Sequence, residues 1–193
     1  MARKALDKYR TPPWMTEAFK ESFPDVRGDI LIDPCAGDCR MAAALASRFG
    51  WAVTNDIDLD EPTNEHFDAT LPAFWDDPDC IRKMYDLPEV RIWVVSNPPF
   101  KQALPIIQRA LMFTPNVAML LRSTWLEPTK ERAELLKTCP PSRMLYLPRG
   151  SFTGGGSDMT SCAWYVWGDA GNVQPIRVYT KIPGQELLKI GEG

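Results

Sequence analysis

Short apolar runs alternate with longer amphipathic runs along most of the chain, and this alternation constrains the fold more than any other feature. The apolar runs have the length of buried strands and lie at residues 29–33, 51–56, 90–96, 117–121 and 144–147. The runs between them with a helical pattern lie at residues 38–49, 102–113 and 129–137. Strands that alternate with helices form a mainly parallel sheet with helices on both faces. We therefore predict an α/β fold.

The C-terminal part departs from this alternation because two β-rich runs follow one another. They lie at residues 160–167 and 176–180, and a short turn-rich stretch at 168–171 follows the first. Strands that are joined by a short turn pair in antiparallel fashion. We predict an antiparallel C-terminal hairpin at one edge of the sheet.

Size and composition indicate one globular domain that spans residues 1–193. The chain is 45% hydrophobic, which suits a single compact core. No apolar run approaches the length of a membrane span, so we expect no membrane contact. Five scattered cysteines and one histidine offer no paired ligand set for zinc, and they favour reduced thiols in a cytoplasmic protein. The net charge of −3 argues against a strong nucleic-acid binder but is compatible with a small basic cleft.

A tight turn of small residues, DPCAG at 33–37, follows the first predicted strand. Doubly wound sheets bind ligands at the carboxyl end of a strand over such a turn, and Gly37 has no Cβ to obstruct a ligand. Asp33 is suited to hold a positively charged amino group, and Asp56 at the end of the second strand is suited to bind two ribose hydroxyls. The slot between them would accept a nucleoside with an amino-acid tail. An ordinary glycine turn with strand-end aspartates is the alternative.

The residues Asn97, Pro98, Pro99 and Phe100 directly follow the strongest predicted strand. Each proline fixes φ and lacks an N–H, so the turn is stiff and its carbonyls can accept hydrogen bonds. An exocyclic amino nitrogen is a poor nucleophile because its lone pair is delocalised into the base. The Asn97 side-chain oxygen and the Pro98 carbonyl could bind both amino hydrogens and favour a tetrahedral nitrogen. Phe100 would stack on a base flipped out of the duplex, although a stiffened loop with a core phenylalanine is the alternative.

Both motifs resemble those of S-adenosylmethionine-dependent amino-methyltransferases. Residues 149–152 and 162–167 are similar to segments of small DNA adenine-N6 methyltransferases, which are often found in phages and prophages. Residues 33–37 resemble the first motif of the amino-methyltransferase family, D-P-x-x-G-x-G, and residues 97–100 resemble its catalytic motif, [DNS]-P-P-[YF]. Cys39 stands where the last glycine of the first motif is usual. The resemblance implies a Rossmann-like methyltransferase sheet, S-adenosyl-L-methionine as cofactor, and methylation of adenine N6 in DNA. It also implies a phage-encoded enzyme that acts inside a bacterial host.

The resemblance also implies roles for individual residues. The segment 9–12, followed by Trp14, would pack over the methionine part of the cofactor, Asp68 would contact its adenine, and Phe152 would form a second wall of the base pocket. The expected cofactor-binding residues are Tyr9, Thr11, Pro12, Asp33, Pro34, Ala36, Gly37, Asp56, Ile57, Asp68 and Asn97. The expected catalytic residues are Asn97, Pro98, Pro99 and Phe100, and the expected substrate-binding residues are Phe100, Lys101 and Phe152. Candidate phosphate contacts near strand ends are Lys101, Arg122, Lys130, Arg132, Arg143 and Arg149.

The acceptor and its recognition stay open at this point. The spacing of the motifs leaves no room between them for a separate target-recognition domain, so sequence reading would depend on short loops, a homodimer or a partner. Asn-Pro-Pro-aromatic motifs also occur in enzymes that methylate RNA or protein glutamine, and cytosine N4 is a further acceptor of the same chemistry. A methyltransferase fold that binds the cofactor without turnover is the alternative from a different class.

Overall fold

The structure is a computed structural model that describes residues 10–76, 90–127, 129–149 and 161–168, together with the backbone of residues 176–178. The strands are β1 Gly28–Asp33, β2 Phe49–Thr54, β3 Ile92–Ser96, β4 Val117–Arg122, β5 Arg143–Tyr146, β6 Cys162–Val166 and β7 Ile176–Val178. The α-helices among the described residues are α1 Pro13–Ser22, α2 Arg40–Leu45, α3 Pro72–Trp75, α4 Ala103–Phe113 and α5 Lys130–Thr138.

The strands form one seven-stranded sheet with the order β2-β1-β3-β4-β6-β5-β7. Strand β6 is antiparallel to both of its neighbours, β4 and β5, and every other pairing in the sheet is parallel. The predicted α/β class and the mainly parallel sheet are therefore confirmed.

The predicted pairing of the two last strands as a hairpin is wrong. Strand β6 does run antiparallel to the rest of the sheet, but β5 lies between β6 and β7. All five residues of β6 are buried, so the strand belongs in the interior of the sheet and not at its edge. Residues 167–175 connect the two strands, and β7 pairs in parallel with β5 instead.

Helices cover both faces of the sheet, and alternate residues of each strand point to opposite faces. On β1, Leu31 packs in the cluster that contains the buried residues of α1 and α2. Its neighbours Ile30 and Ile32 pack in the other cluster, with α3 and α4. Among the described residues, no helix is both long enough and apolar enough to cross a membrane.

Helix α1 was not predicted from the sequence, and it determines where the segment before it lies. The helix begins with Pro13, and proline suits this position because a backbone N–H in the first turn would have no partner within the helix. The Trp164 indole of β6 donates a hydrogen bond to the Met15 carbonyl at 3.0 Å, and its ring packs against Phe19 at 4.5 Å between centroids. These contacts fix α1 against the sheet and bring Arg10 and Thr11 to the carboxyl ends of the strands.

Candidate functional site

The carboxyl ends of β1, β2, β3 and β4 meet at one edge of the sheet, and a cleft opens over the first three. The cleft encloses about 820 Å³ of empty space, including the part that opens to solvent. Its lining residues are Arg10, Thr11, Asp33, Cys35, Ala36, Gly37, Asp38, Met41, Asp56, Ile57, Asp58, Glu61, Asn97, Pro98, Pro99 and Phe100. Ligands of open α/β sheets bind at this position.

The turn after β1 contains two residues in the left-handed region. Gly37 has φ of +51° and Cys39 has φ of +61°. Glycine adopts this conformation without strain, whereas cysteine carries the steric cost of its Cβ. Cys39 therefore keeps the backbone conformation of a glycine at the position where the motif usually has one.

Asp56 ties this turn to the end of β2. Its Oδ2 accepts a hydrogen bond from the Gly37 N–H at 3.0 Å, and its Oδ1 accepts one from the Asp58 N–H at 2.9 Å. Each carboxylate oxygen has more than one acceptor position, so a ribose hydroxyl could still donate to either. Both bonds hold the carboxylate in a fixed orientation at the cleft.

Asp33 is a buried carboxyl group at the floor of the cleft, with no exposed surface. Its Oδ1 accepts hydrogen bonds from the Ser96 hydroxyl at 2.7 Å and from the Cys35 N–H at 3.3 Å. Its Oδ2 is buried and has no hydrogen-bond partner among the described residues. Burial raises the pKa of Asp33 to about 7, and the two hydrogen bonds oppose this shift. A cation in the cleft would satisfy the unpaired oxygen and favour the ionised form.

Asn55, which the sequence did not single out, links three segments around the site. The side chain is fully buried, and its Nδ2 donates to the carbonyls of Pro34 at 2.9 Å and Phe67 at 3.1 Å. Its Oδ1 accepts from the Phe67 N–H at 2.8 Å. One amide thus joins the turn after β1, the end of β2 and the loop that precedes Asp68.

The stiff turn after β3 forms the opposite wall of the cleft. The Asn97 Nδ2 donates a hydrogen bond to the Thr11 hydroxyl at 3.1 Å. The Pro99 carbonyl accepts from the Gln102 N–H at 2.9 Å, which joins the turn to the start of α4. Among the described residues, none donates a hydrogen bond to the Pro98 carbonyl. The Pro98 carbonyl and the Asn97 amide belong to neighbouring residues, and the two prolines restrict the backbone of this segment.

Phe100 is partly buried between the core and the cleft, and a cation lies over its ring. The Arg122 guanidinium is 4.5 Å from the ring centroid, within the range of a cation–π contact. Arg122 ends β4 and is exposed, and no carboxylate of the described residues is within ion-pair distance of it. Positive charge is thus present beside the ring on the same edge of the sheet.

Comparison with known proteins identifies the fold. No family model and no curated protein sequence matches the chain. Among solved structures, the methyltransferase subunit of a type I restriction-modification system from Streptococcus thermophilus matches with a TM-score of 0.58 and 12% identity, over 87% of this chain and 47% of that one. A protein described as a class I S-adenosylmethionine-dependent methyltransferase from Listeria monocytogenes matches with a TM-score of 0.52 and 13% identity, over 86% and 62%. A dimethyladenosine transferase from Plasmodium falciparum matches with a TM-score of 0.50 and 12% identity, over 82% and 62%.

The fold is that of the class I methyltransferases. The chain spans between 47% and 62% of the length of these three proteins. The inserted antiparallel β6 and the cleft over β1, β2 and β3 are therefore parts of a methyltransferase fold. At such low identity the likeness establishes the fold, and the chemistry has to be argued from the residues of this chain.

Most of the predicted site residues lie together in the cleft of this methyltransferase fold. Those that line it are Thr11, Asp33, Ala36, Gly37, Asp56, Ile57, Asn97, Pro98, Pro99 and Phe100. Those that are described but do not line it are Pro12, Pro34, Asp68 and Lys101. Tyr9 and Phe152 lie outside the described residues. Asp68 accepts hydrogen bonds from the N–H and hydroxyl of Thr70, and its contact with the cofactor adenine stays a prediction.

The cleft also contains charged residues that were not predicted as part of the site. The Arg10 guanidinium forms ion pairs with Asp38 at 2.5 Å and with Glu61 at 3.4 Å, across the mouth of the cleft. The position of Arg10 beside Thr11 in the sequence was the available signal. The prediction of Arg143 as a phosphate contact is wrong. Arg143 begins β5, at the end of the strands away from the cleft, and it is fully buried and paired with Asp25.

Proposed function

We propose that this chain transfers a methyl group from S-adenosyl-L-methionine to the exocyclic N6 amino group of adenine in DNA. One observation carries the proposal. A buried carboxyl group with an unpaired oxygen, Asp33, lies in the same cleft as two adjacent hydrogen-bond acceptors, Asn97 and Pro98. The first suits a cationic amino-acid tail, and the other two suit an amino group with two hydrogens.

The cofactor half of the cleft fits the functional groups of S-adenosylmethionine. Asp33 Oδ2 is a buried acceptor without a partner among the described residues, and the cofactor's ammonium group would supply one. Asp56 is held by two backbone N–H groups in an orientation where it can bind ribose hydroxyls. Ile57 follows it and lines the cleft with a 40% exposed side chain, which suits the flat adenine of the cofactor. The cofactor, when bound, supplies an electrophilic methyl group on a sulfonium sulfur.

The acceptor half fits an amino group attached to a flat ring. The Asn97 Oδ1 and the Pro98 carbonyl would each accept one amino hydrogen, which draws the nitrogen lone pair out of conjugation and directs it into the cleft. Phe100 offers an aromatic surface for the base. As the new N–C bond formed, the sulfur–methyl bond would break to leave a neutral thioether, and one amino proton would pass to solvent, so the chain needs no strong base. This agrees with the position of His66, which is exposed and does not line the cleft.

A nucleic acid is the favoured acceptor because of the charge beside Phe100. Arg122 lies over the ring at the end of β4, where a phosphate next to a flipped base could reach it. We further propose that residues 1–193 act as one catalytic domain, in which short loops or a second copy read the sequence. RNA, cytosine N4 and protein glutamine are the rival acceptors of the same chemistry.

The test is methyl transfer from labelled S-adenosylmethionine to duplex DNA, single-stranded DNA, RNA and a cell protein extract. Mass spectrometry of the digested product identifies the methylated atom. The wild type is compared with Asn97→Ala, which removes one acceptor from the cleft, and with Gln108→Ala, which removes an exposed amide on α4. Cofactor binding to all three proteins is measured by calorimetry.

We expect N6-methyladenine in DNA with the wild type and with Gln108→Ala. Asn97→Ala should lower the rate by at least about 100-fold, the typical contribution of one preorganised hydrogen-bonding group to a transition state. Its cofactor affinity should stay within about threefold of the wild type. Label in RNA or protein would keep the chemistry and replace the acceptor. Cofactor binding without any label would favour a non-catalytic binding subunit and refute the proposal.

A further inference from the structure

The hydrogen bond between Asn97 and Thr11 joins two cleft residues that lie far apart in the sequence. The Asn97 Nδ2 donates to the Thr11 Oγ1 at 3.1 Å. Thr11 lies two residues before the start of α1, which Trp164 anchors to the sheet through Met15. The hydroxyl is therefore presented to Asn97 from a fixed element, and both side chains line the cleft.

The orientation of an asparagine amide decides which amino chemistry it can serve. The side chain carries one acceptor, Oδ1, and one NH₂ group with two donors. An acceptor facing a substrate amino group forms a hydrogen bond, whereas an NH₂ group facing it is repelled. The two orientations differ only by rotation about one bond, so a neighbouring polar group has to select between them.

We propose that Thr11 is a positioning residue that selects the Asn97 amide orientation required for an amino acceptor. This inference rests on the proposed function and deepens it. When Thr11 Oγ1 accepts from Nδ2, Oδ1 becomes the amide atom presented to the substrate amino group. A hydroxyl can accept from Nδ2 or donate to Oδ1, and in the structure Thr11 Oγ1 is the acceptor of this bond. Thr11 thus acts through Asn97, and it makes the cleft select a substrate group that donates hydrogen bonds, such as an amino group.

Two substitutions at position 11 separate this role from a purely steric one. Thr11→Val keeps the size and β-branching but removes the hydroxyl, and Thr11→Ser keeps the hydroxyl but removes a methyl group. The rate of one turnover is measured with saturating cofactor and saturating acceptor, on whichever acceptor the wild type labels. S-adenosylmethionine affinity is measured by calorimetry. The Asn97 side-chain NH₂ resonances of the free protein are followed by ¹⁵N NMR and assigned by their loss in Asn97→Ala.

Thr11→Val should lower the single-turnover rate about tenfold, which is the effect of one net hydrogen bond on a rate. Thr11→Ser should stay within about twofold of the wild type, and cofactor affinity should change by less than about threefold in both. The Asn97 NH₂ protons should lose their hydrogen-bonded shift in Thr11→Val and keep it in Thr11→Ser.

Two results would overturn the inference. One is an unchanged Asn97 NH₂ spectrum in Thr11→Val. The other is a Thr11→Val variant that binds cofactor weakly but reaches the wild-type rate at saturation, because Thr11 would then be a cofactor contact alone. A wild type that labels no acceptor would refute the proposed function, and in that case the NMR measurement still decides whether Thr11 holds the amide.

Discussion

Replacing Asp33 with asparagine should stabilise the free protein and weaken cofactor binding at the same time. The wild-type carboxyl is fully buried, and one of its oxygens has no partner among the described residues. Burial raises its pKa from 3.8 to about 7, so above pH 7 the fold has to contain a buried negative charge. Asparagine keeps an acceptor for the Ser96 hydroxyl and removes the charge.

The size of the stabilisation follows from the pKa. The protonated carboxyl is favoured in the folded protein, so this contribution to stability is complete below pH 3.8 and is lost as the pH rises to about 7. A shift of about three pKa units corresponds to about 4 kcal/mol at pH 8. The asparagine NH₂ group takes the place of the unpaired oxygen and costs about 1–3 kcal/mol if it also lacks a partner. We therefore expect a net gain of about 2 kcal/mol in the free energy of unfolding, or about 5 °C in Tm.

The effect on the cofactor has the opposite sign. Binding of an ammonium group requires the ionised carboxylate, so S-adenosylmethionine affinity in the wild type should rise about tenfold per pH unit up to pH 7 and level off above it. Asp33→Asn should bind weakly at every pH and show no such slope. Calorimetry between pH 5.5 and 7.5 measures both curves, and thermal unfolding without cofactor at pH 5 and pH 8 measures stability.

Glu131→Gln, which neutralises an exposed carboxylate on α5, is the matched control and should change neither quantity. If Asp33→Asn binds the cofactor as tightly as the wild type at pH 7.5, the Asp33 carboxylate does not bind the ammonium group. A wild-type affinity that does not change across this pH range would likewise exclude ionisation of Asp33 as a requirement for binding. A variant that is no more stable than the wild type at pH 8 would mean that the buried charge costs the fold little.

Two further substitutions test the turn after β1 and the acceptor side. Cys39→Gly should raise the free energy of unfolding, measured in urea, by about 1 kcal/mol, because it removes a Cβ from the left-handed region. Cys39→Ala keeps the Cβ and should give no gain. Equal stabilities of the two variants would contradict this explanation. Arg122→Gln should lower the slope of log affinity against log salt for DNA by about 1, whereas Arg91→Gln at the opposite edge of the sheet should leave it unchanged. Equal slopes in both arginine variants, measured by fluorescence anisotropy, would exclude Arg122 as a phosphate contact.

The central strands β3 and β4 could be predicted from the sequence because they are buried on both faces and therefore read as apolar runs. The predicted run at 117–121 became β4 Val117–Arg122, and the run at 90–96 became β3 Ile92–Ser96. The predicted helix at 38–49 is shorter in the structure, because α2 ends at Leu45 and β2 already begins at Phe49. Strand order was harder to predict, since a turn-rich sequence after β6 predicts a hairpin whether or not another strand lies between.

The two motifs of the site could be predicted, but the contacts that orient them could not. Gly37 and Asn97 follow strands, and the carboxyl ends of neighbouring parallel strands meet at one edge of a sheet. The partners of these residues come from elsewhere in the chain. Asn55 is an ordinary polar residue in the sequence, and its role depends on the approach of Pro34 and Phe67 in the folded protein.

The distribution of charge in the cleft reconciles an acidic protein with a nucleic-acid acceptor. The cofactor side contains carboxylates such as Asp33 and Asp56, which suit a ligand that carries an ammonium and a sulfonium group. The acceptor side has Arg122 over Phe100. The carboxylates on the cofactor side contribute to the net charge of −3, but they would not face the phosphates of a bound nucleic acid. The proposed affinity for nucleic acid therefore depends on the positive charge at the end of β4, and the charge of the whole chain is a poor guide to it.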